Sequence, residues 1–408
     1  MRRLLPLLLV APLAGCATSR ASHDTRFKAA SDAVAALQSA RFDDAEAQAN
    51  TLVAADAENA TAHGVAAIAV FRRTLHELYT RGIGIVAQLA ASALMRGAFF
   101  DTGYLNHAID EVDTGLAEVS THLDAAAKDP FFELQLCLAC WEVDWNRNGE
   151  IDDNDRRLLE VEVDAELNPL PEGDPRRRPT FRFDVADVHW LKALVSFARA
   201  VGQVVRAYDV SEVARVAVRG TQKATLRLKE KERVAKARAL VLTGLDAAET
   251  SRKLMLEETD DDREWVPNPK QKQHPLPFPV DEALFETWAG VLGDVRALVQ
   301  GKTGLALADL AELNEKRDPQ ERRAKGFVDV GRMFDAPADI VAEEGMGRGL
   351  KRGEADALEA LARDFFGAAY KDSMPPSQLP QRLLRMKGEL DRGEDRFERK
   401  LRYLLWLN

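Results

Sequence analysis

The chain is predicted to be mainly α: a helical array with repeat-like helix pairs near its start, a short β-ribbon in its first half and a C-terminal helical region. Three observations carry this reading. Of 408 residues 46% are apolar, enough for a sizeable core, while only 7% are aromatic, and Ala, Leu, Glu and Arg, all good helix formers, are abundant. Apolar side chains recur at helical spacing through most of the chain. That period breaks between Phe132 and Val143, where Phe132, Leu134, Leu136 and Leu138 alternate with Glu133, Gln135, Cys137 and Ala139, the period of a strand.

Arg2 and Arg3 precede an apolar run from Leu4 to Leu13, too short to span a bilayer as a helix. The run ends in Leu13-Ala14-Gly15-Cys16, which resembles the lipobox of bacterial lipoproteins. The resemblance implies a signal peptide over residues 1–15, cleavage before Cys16, and acyl chains on Cys16 that hold the protein to a membrane. Ala17, in place of aspartate, implies sorting to the outer membrane of the cell envelope. Residues 16–25, mostly small and polar, read as the lipidated tether. Loss of Arg2 and Arg3 leaves 54 basic against 66 acidic residues, a formal charge of −12, which argues against nucleic acid as a partner.

Residues 26–130 read as an N-terminal helical region. Ala33, Ala36, Leu37 and Ala40, then Phe42, Ala45, Ala49 and Leu52, then Asp56-Ala57-Glu58-Asn59 resemble a tetratricopeptide unit, a helix pair closed by a turn. A segment from Thr61 to Tyr79 would begin a second unit, after which the pattern fades.

Residues 131–184 form a junction that carries the most specific motif in the chain. Asp144 to Asp155, D-W-N-R-N-G-E-I-D-D-N-D, has the spacing of an EF-hand calcium loop. A hard cation needs several oxygens on one small sphere, and such a loop winds them around it, with glycine at the sharp turn. Asp144, Asn146 and Asn148 would ligate through side chains, Glu150 through its carbonyl, and Asp152 directly or through water, with Asp155 closing the loop. Ile151 would turn inward. An aspartate at the last position resembles the loop of dockerin modules, although a second copy is missing, so the protein-binding role of that family does not carry over. Three carboxylates and two amides imply a modest affinity, roughly 10⁻⁵ to 10⁻³ M. Cys137 and Cys140 form a C-x-x-C just before the loop; the readings open to them are a structural disulfide or buried thiols, a redox pair, or a metal site. A ribbon would pair residues 132–143 with residues 179–184, where Phe181 and Phe183 alternate. Between them Arg176, Arg177 and Arg178 read as a solvated charge run.

Residues 185–266 are expected to be helical, opening at Asp184 and Asp187 and continuing in a charged helix from about Lys223 to Glu258. His189 reads as a core or interfacial histidine. Residues 267–280 contain five prolines between Pro267 and Pro279 and read as a loop. Residues 281–408 form the C-terminal helical region, with Asp281 capping a helix of Leu284, Phe285, Trp288, Leu292, Val295 and Leu298.

No enzyme template fits. His76-Glu77 lacks the second histidine of a zincin, no Gly-x-Ser-x-Gly occurs, and the glycines at 345, 347 and 349 lack a following Gly-Lys-Ser/Thr. The sequence therefore points to a calcium-binding envelope lipoprotein, a non-enzymatic scaffold with unidentified protein partners. The alternative is an envelope enzyme, either a thiol oxidoreductase using Cys137 and Cys140 or a hydrolase with dispersed carboxylates.

Overall fold

The structure is a computed structural model and describes residues 19–94, 102–141, 143–144, 149–152, 155, 160–164, 168–211, 223–261, 263–272, 281–313, 323–343 and 355–390. It is mainly α, with 66% of the chain helical and strands that are few and short. Among the described residues no helix is long and apolar enough to cross a membrane.

Helices α1 (Arg20–Ala29), α2 (Ser31–Gln38), α3 (Phe42–Ala55), α4 (Ala60–Leu94) and α5 (Thr102–Ala126) build the N-terminal region. Their contact faces are made of small residues. Ala33, Ala36, Ala45, Ala49, Ala66 and Ala67 are fully buried, with Leu37, Val65, Val119 and Leu123 filling the space between. Alanine loses no rotamer freedom in a helix and lets neighbouring axes approach closely. α2 and α3 form the helix pair expected from the sequence, and the turn at Asp56–Asn59 feeds α4, whose start Asn59 caps by accepting the Ala62 N–H at 3.0 Å. α4 runs for 35 residues, well past Tyr79.

β1 (Glu133–Leu136) pairs antiparallel with β2 (Phe181–Asp184), with Leu134 opposite Phe183 and Gln135 opposite Arg182. Phe132 and Leu134 seat this ribbon on α4 at Gly64, where an added Cβ would lie 2.5 Å from the Phe132 ring. Only glycine lets helix and ribbon approach so closely. Behind the ribbon a second core gathers Val161, Val163, Leu170, Phe181, Met255, Trp265 and Phe285.

α6 (Val185–Ala207) lies antiparallel to α5, tied by Lys192 to Asp124 and by Arg206 to Asp110. α7 (Lys231–Glu257) returns along α6, with Phe197 against Gly244 and Gln203 accepting from Arg233. The charged helix expected from Lys223 is shorter than the sequence suggests. Lys223–Leu228 is a strand, β4, between β3 (Tyr208–Asp209) and β7 (Ile340–Glu343). Its K-A-T-L-R-L pattern alternates, and a partner strand more than a hundred residues away satisfies its backbone.

The C-terminal part is likewise not purely helical. α8 (Glu282–Val299), capped by Asp281 as expected, is followed by β5 (Leu305–Ala306), α9 (Leu307–Leu313), β6 (Phe327–Val328) and α10 (Val330–Asp335). α11 (Ala355–Phe366), β8 (Tyr370–Lys371) and α12 (Leu379–Leu390) complete it. β5, β6 and β8 form a three-stranded sheet whose two-residue strands are too short to show a period in sequence. The glycines at 345, 347 and 349, His274, and the apolar residues beyond Leu390 lie outside the described residues.

Candidate functional site

The loop singled out by sequence is described at Asp144, Gly149, Glu150, Ile151, Asp152 and Asp155; Asn146, Asn148 and the acylation candidate Cys16 lie outside the described residues. Gly149 has φ of +91°, a backbone conformation that side chains disfavour, and donates its N–H to the Asp144 carboxylate at 2.8 Å. The first and sixth positions of the loop are thereby drawn together. At the other end the Asp152 N–H donates to Asp155 Oδ2 at 3.1 Å, and the Asp155 N–H donates to Asp152 Oδ1 at 3.3 Å. This reciprocal pair is a helix-capping arrangement. Asp155 is buried, Asp144, Ile151 and Asp152 are half-buried, and Glu150 is exposed.

Cys137 and Cys140 are joined in a disulfide, with Cα atoms 5.2 Å apart, around the 3-10 turn Leu138–Cys140 that ends β1. Trp141 follows and packs edge-on against Phe42 of α3. The arginine triplet is not a freely solvated run. Arg177 and Arg178 both pair with the buried Glu160, at 2.6 and 3.0 Å, and Arg176 with Asp174 at 2.7 Å. A buried carboxylate needs such partners, and Glu160 is too far along the chain for local pattern to pair it with them.

A second polar centre was not legible in the sequence. Alternation on β2 sends Arg182 and Asp184 to the face opposite Phe181 and Phe183, and there they meet the C-terminal end of α7 and the segment that follows it. Asp184, Glu258 and Glu264 offer oxygens that all lie within 4.8 Å of one another, the only such group of three among the described residues. Arg182 donates to Glu264 at 2.8 Å and Asp260 at 3.1 Å, and lies 3.3 Å from Glu133. Asp184 caps α6 by accepting the Ala186 N–H at 2.7 Å, while Asp187 accepts the Asp184 N–H at 3.0 Å. Gln271 donates to Glu258 at 3.2 Å.

Asp184, Asp187, Glu258 and Glu264 crowd together with one guanidinium for compensation, and burial of Asp187 and Glu264 and half-burial of the other two disfavour charge on all four. Burial, reinforced by the neighbouring Asp184 and Glu264, pushes Glu258 up to about 9. Burial and Asp184 push Glu264 up to about 8, even against the pull of Arg182. Burial and Asp184 likewise hold Asp187 well above the usual carboxylate range. Near neutral pH the cluster therefore stores protons. A cleft of about 270 Å³ opens beside it, lined by Arg20, Phe131, Phe132, Glu133, Arg182 and Glu258 among others. Chemically, such a group can hold a divalent cation in exchange for its protons or move a proton at a bound molecule. Asp184 and Asp187 were visible in the sequence as a helix start, but nothing local brings Glu258 and Glu264 to them.

Comparison of the chain with family models, with curated proteins and with solved structures finds no match.

Proposed function

We propose that the protein is an envelope-anchored, calcium-binding helical lipoprotein, held by acyl chains on Cys16 and acting as a non-enzymatic scaffold for protein partners. Calcium at Asp144, Asn146, Asn148, Glu150, Asp152 and Asp155 stiffens the junction between the N-terminal helices and the rest of the chain. The observation that carries the reading is Gly149, whose positive φ and N–H bond to Asp144 are what a metal-wrapping loop asks of its sixth and first positions. The Cys137–Cys140 turn and the β1–β2 ribbon would anchor the loop on its N-terminal side. The acidic balance of the chain leaves nucleic acid out of the proposal.

Calorimetric titration tests it directly. One saturable calcium site is expected, lost in Asp144→Ala while the helical circular dichroism stays unchanged. No saturable binding in the wild type, or equal binding in the variant, overturns it. For the anchor, Cys16→Ser should move the protein from the membrane fraction to the soluble fraction.

A second reading, hydrolysis by dispersed carboxylates, draws on one observation: Glu258 lines an open cleft and lies against Asp184 and Glu264, where burial and like charge push both glutamates above the usual carboxylate range. Turnover of a panel of chromogenic glycosides that disappears in Glu258→Gln would favour it over the scaffold.

A further inference from the structure

His63, in the first turn of α4, and His122, near the end of α5, face each other across the helix interface with Nδ1 atoms 2.9 Å apart and ring centroids 5.2 Å apart. Both are buried, at 7% and 9% exposure. The hydrogen bonds fix the tautomers. A carbonyl can only accept, so the 3.1 Å contact from His63 Nε2 to the Ala57 oxygen places the His63 hydrogen on Nε2. His63 Nδ1 must then accept, and His122 Nδ1 carries the hydrogen between them.

The number of protons the pair can hold follows. A first proton goes to His122 Nε2 and leaves one hydrogen between the two Nδ1 atoms, so the bond stays in place with the charge on either ring. A second has only the remaining bare Nδ1 to go to, and there two N–H groups would point at each other between two cations. Nothing in that geometry can hold.

We propose that the His63–His122 pair is an acid-sensitive clasp between α4 and α5 that tolerates one proton and opens with the second. The clasp sits beside the seat of the ribbon, because Gly64, the next residue, is where Phe132 packs on α4. Acidification would thus loosen the platform that carries β1, the disulfide turn and the loop beyond it. The inference does not depend on calcium binding.

The charged surroundings leave the pair short of compensation. His63 faces Asp56 from the turn before α4 and Lys128 from beyond α5; His122 faces Glu118 on its own helix and Glu46 on α3. Glu46 and Glu118 are already engaged by Arg73 of α4, at 3.0 and 3.4 Å, and Asp56 by Arg26 of α1 at 2.8 Å. Asp129, beyond α5, is taken by His23 of α1 at 2.9 Å. Burial pulls both imidazoles below the usual histidine range, with Lys128 adding to the effect at His63 and His63 adding to it at His122. A histidine whose pKa is lower folded than unfolded costs stability as pH falls below the unfolded value.

Hydrogen exchange of the full chain at pH 7.5 and 5.0, corrected for intrinsic rates, tests the clasp in peptides from residues 60–70 and 115–132. An unfolded histidine is protonated about thirtyfold at pH 5, so protection should fall by up to about thirtyfold for each imidazole held neutral. In His63→Gln with His122→Gln, whose pair cannot titrate, protection in these peptides should fall clearly less than in the wild type, by what the remaining titratable groups contribute. Equal protection of the wild type at both pH values, or an equal loss in both proteins, overturns the proposal. Should the double variant fail to fold, nitrogen NMR of the wild-type imidazoles decides: the expected result is hydrogen on His63 Nε2 and His122 Nδ1 at pH 7.5, with the contact between the rings lost once both carry charge. The opposite tautomers, or two charged imidazoles that keep their contact, overturn it.

Discussion

Asn268 holds the end of α7 and the carboxylate cluster at once. Its side-chain amide donates to the carbonyls of Met255 at 2.8 Å and Glu258 at 3.2 Å, supplying the last turn of a helix that has no partner of its own there. Its Oδ1 accepts the Lys270 N–H at 2.8 Å, and its N–H donates to Gln271, the residue that in turn donates to Glu258. Asn268 is almost wholly buried. Asn268→Ala therefore leaves buried carbonyls without a donor, and a loss of about 2–3 kcal/mol is expected in urea unfolding with the slope unchanged. Asn268→Asp, equal in size but without donors, should be no better. A midpoint within experimental error of wild type for either would remove the capping account. The contrast with Asp184 and Asp187 shows what is legible at this scale. Their capping box is a local i, i+3 pattern and could be read from sequence, whereas Asn268 serves carbonyls ten and thirteen residues earlier from within a proline-rich stretch.

At the scale of elements, the fold turns on how closely α4 accepts the β1–β2 ribbon. Gly64→Ala would drive a methyl group into the Phe132 ring, and rearranging a packed core to admit it costs about 1–3 kcal/mol. Gly82, on the same helix, meets nothing within 4 Å, so Gly82→Ala should stabilise by about 0.5–1 kcal/mol through helix propensity alone. Opposite shifts in melting temperature for two identical substitutions on one helix would separate packing from propensity; shifts of the same sign would refute the packing argument. The ribbon was legible because Phe132 to Leu138 and Phe181 to Phe183 alternate in sequence. Lys223–Leu228 alternates too, but it abuts a long charged helix and its partners, at Tyr208–Asp209 and Ile340–Glu343, leave no trace nearby. The proposed calcium site would act on elements as well. A ligand bound only by the folded state adds about 1.4–2.7 kcal/mol at ten to a hundred times its Kd, so the proposed loop should raise the melting temperature by a few degrees.

Over the whole molecule, two sets of buried or half-buried titratable groups set opposite limits on the pH of greatest stability. On the acid side stand His63 and His122, pulled down by burial, and His189, pulled down to about 4 by burial and Lys192. Their folded values lie below the unfolded one, so stability is lost as pH falls below about 6.5. On the alkaline side stand Glu258 and Glu264, whose folded values of about 9 and about 8 exceed the ordinary 4.5. A carboxyl group raised on folding contributes stability that is fully present below its unfolded pKa and is lost as pH rises through the folded one. Urea midpoints should therefore fall between pH 5 and 9 on account of the cluster, on top of any acid-side loss. Glu258→Gln keeps the shape of the side chain and a donor toward Asp184 but has no proton to lose, so the variant should lose less stability than wild type between pH 7 and 9. Since Glu258 belongs to the cluster at the mouth of the cleft, while His63 and His122 lie within the N-terminal helices and His189 on α6 faces Lys192 and Asp124, the acid limb of the profile should be unchanged in the variant. An alkaline limb as steep in Glu258→Gln as in wild type would mean that the cluster is ionised at neutral pH, with Arg182 balancing more of its charge than the geometry allows it to.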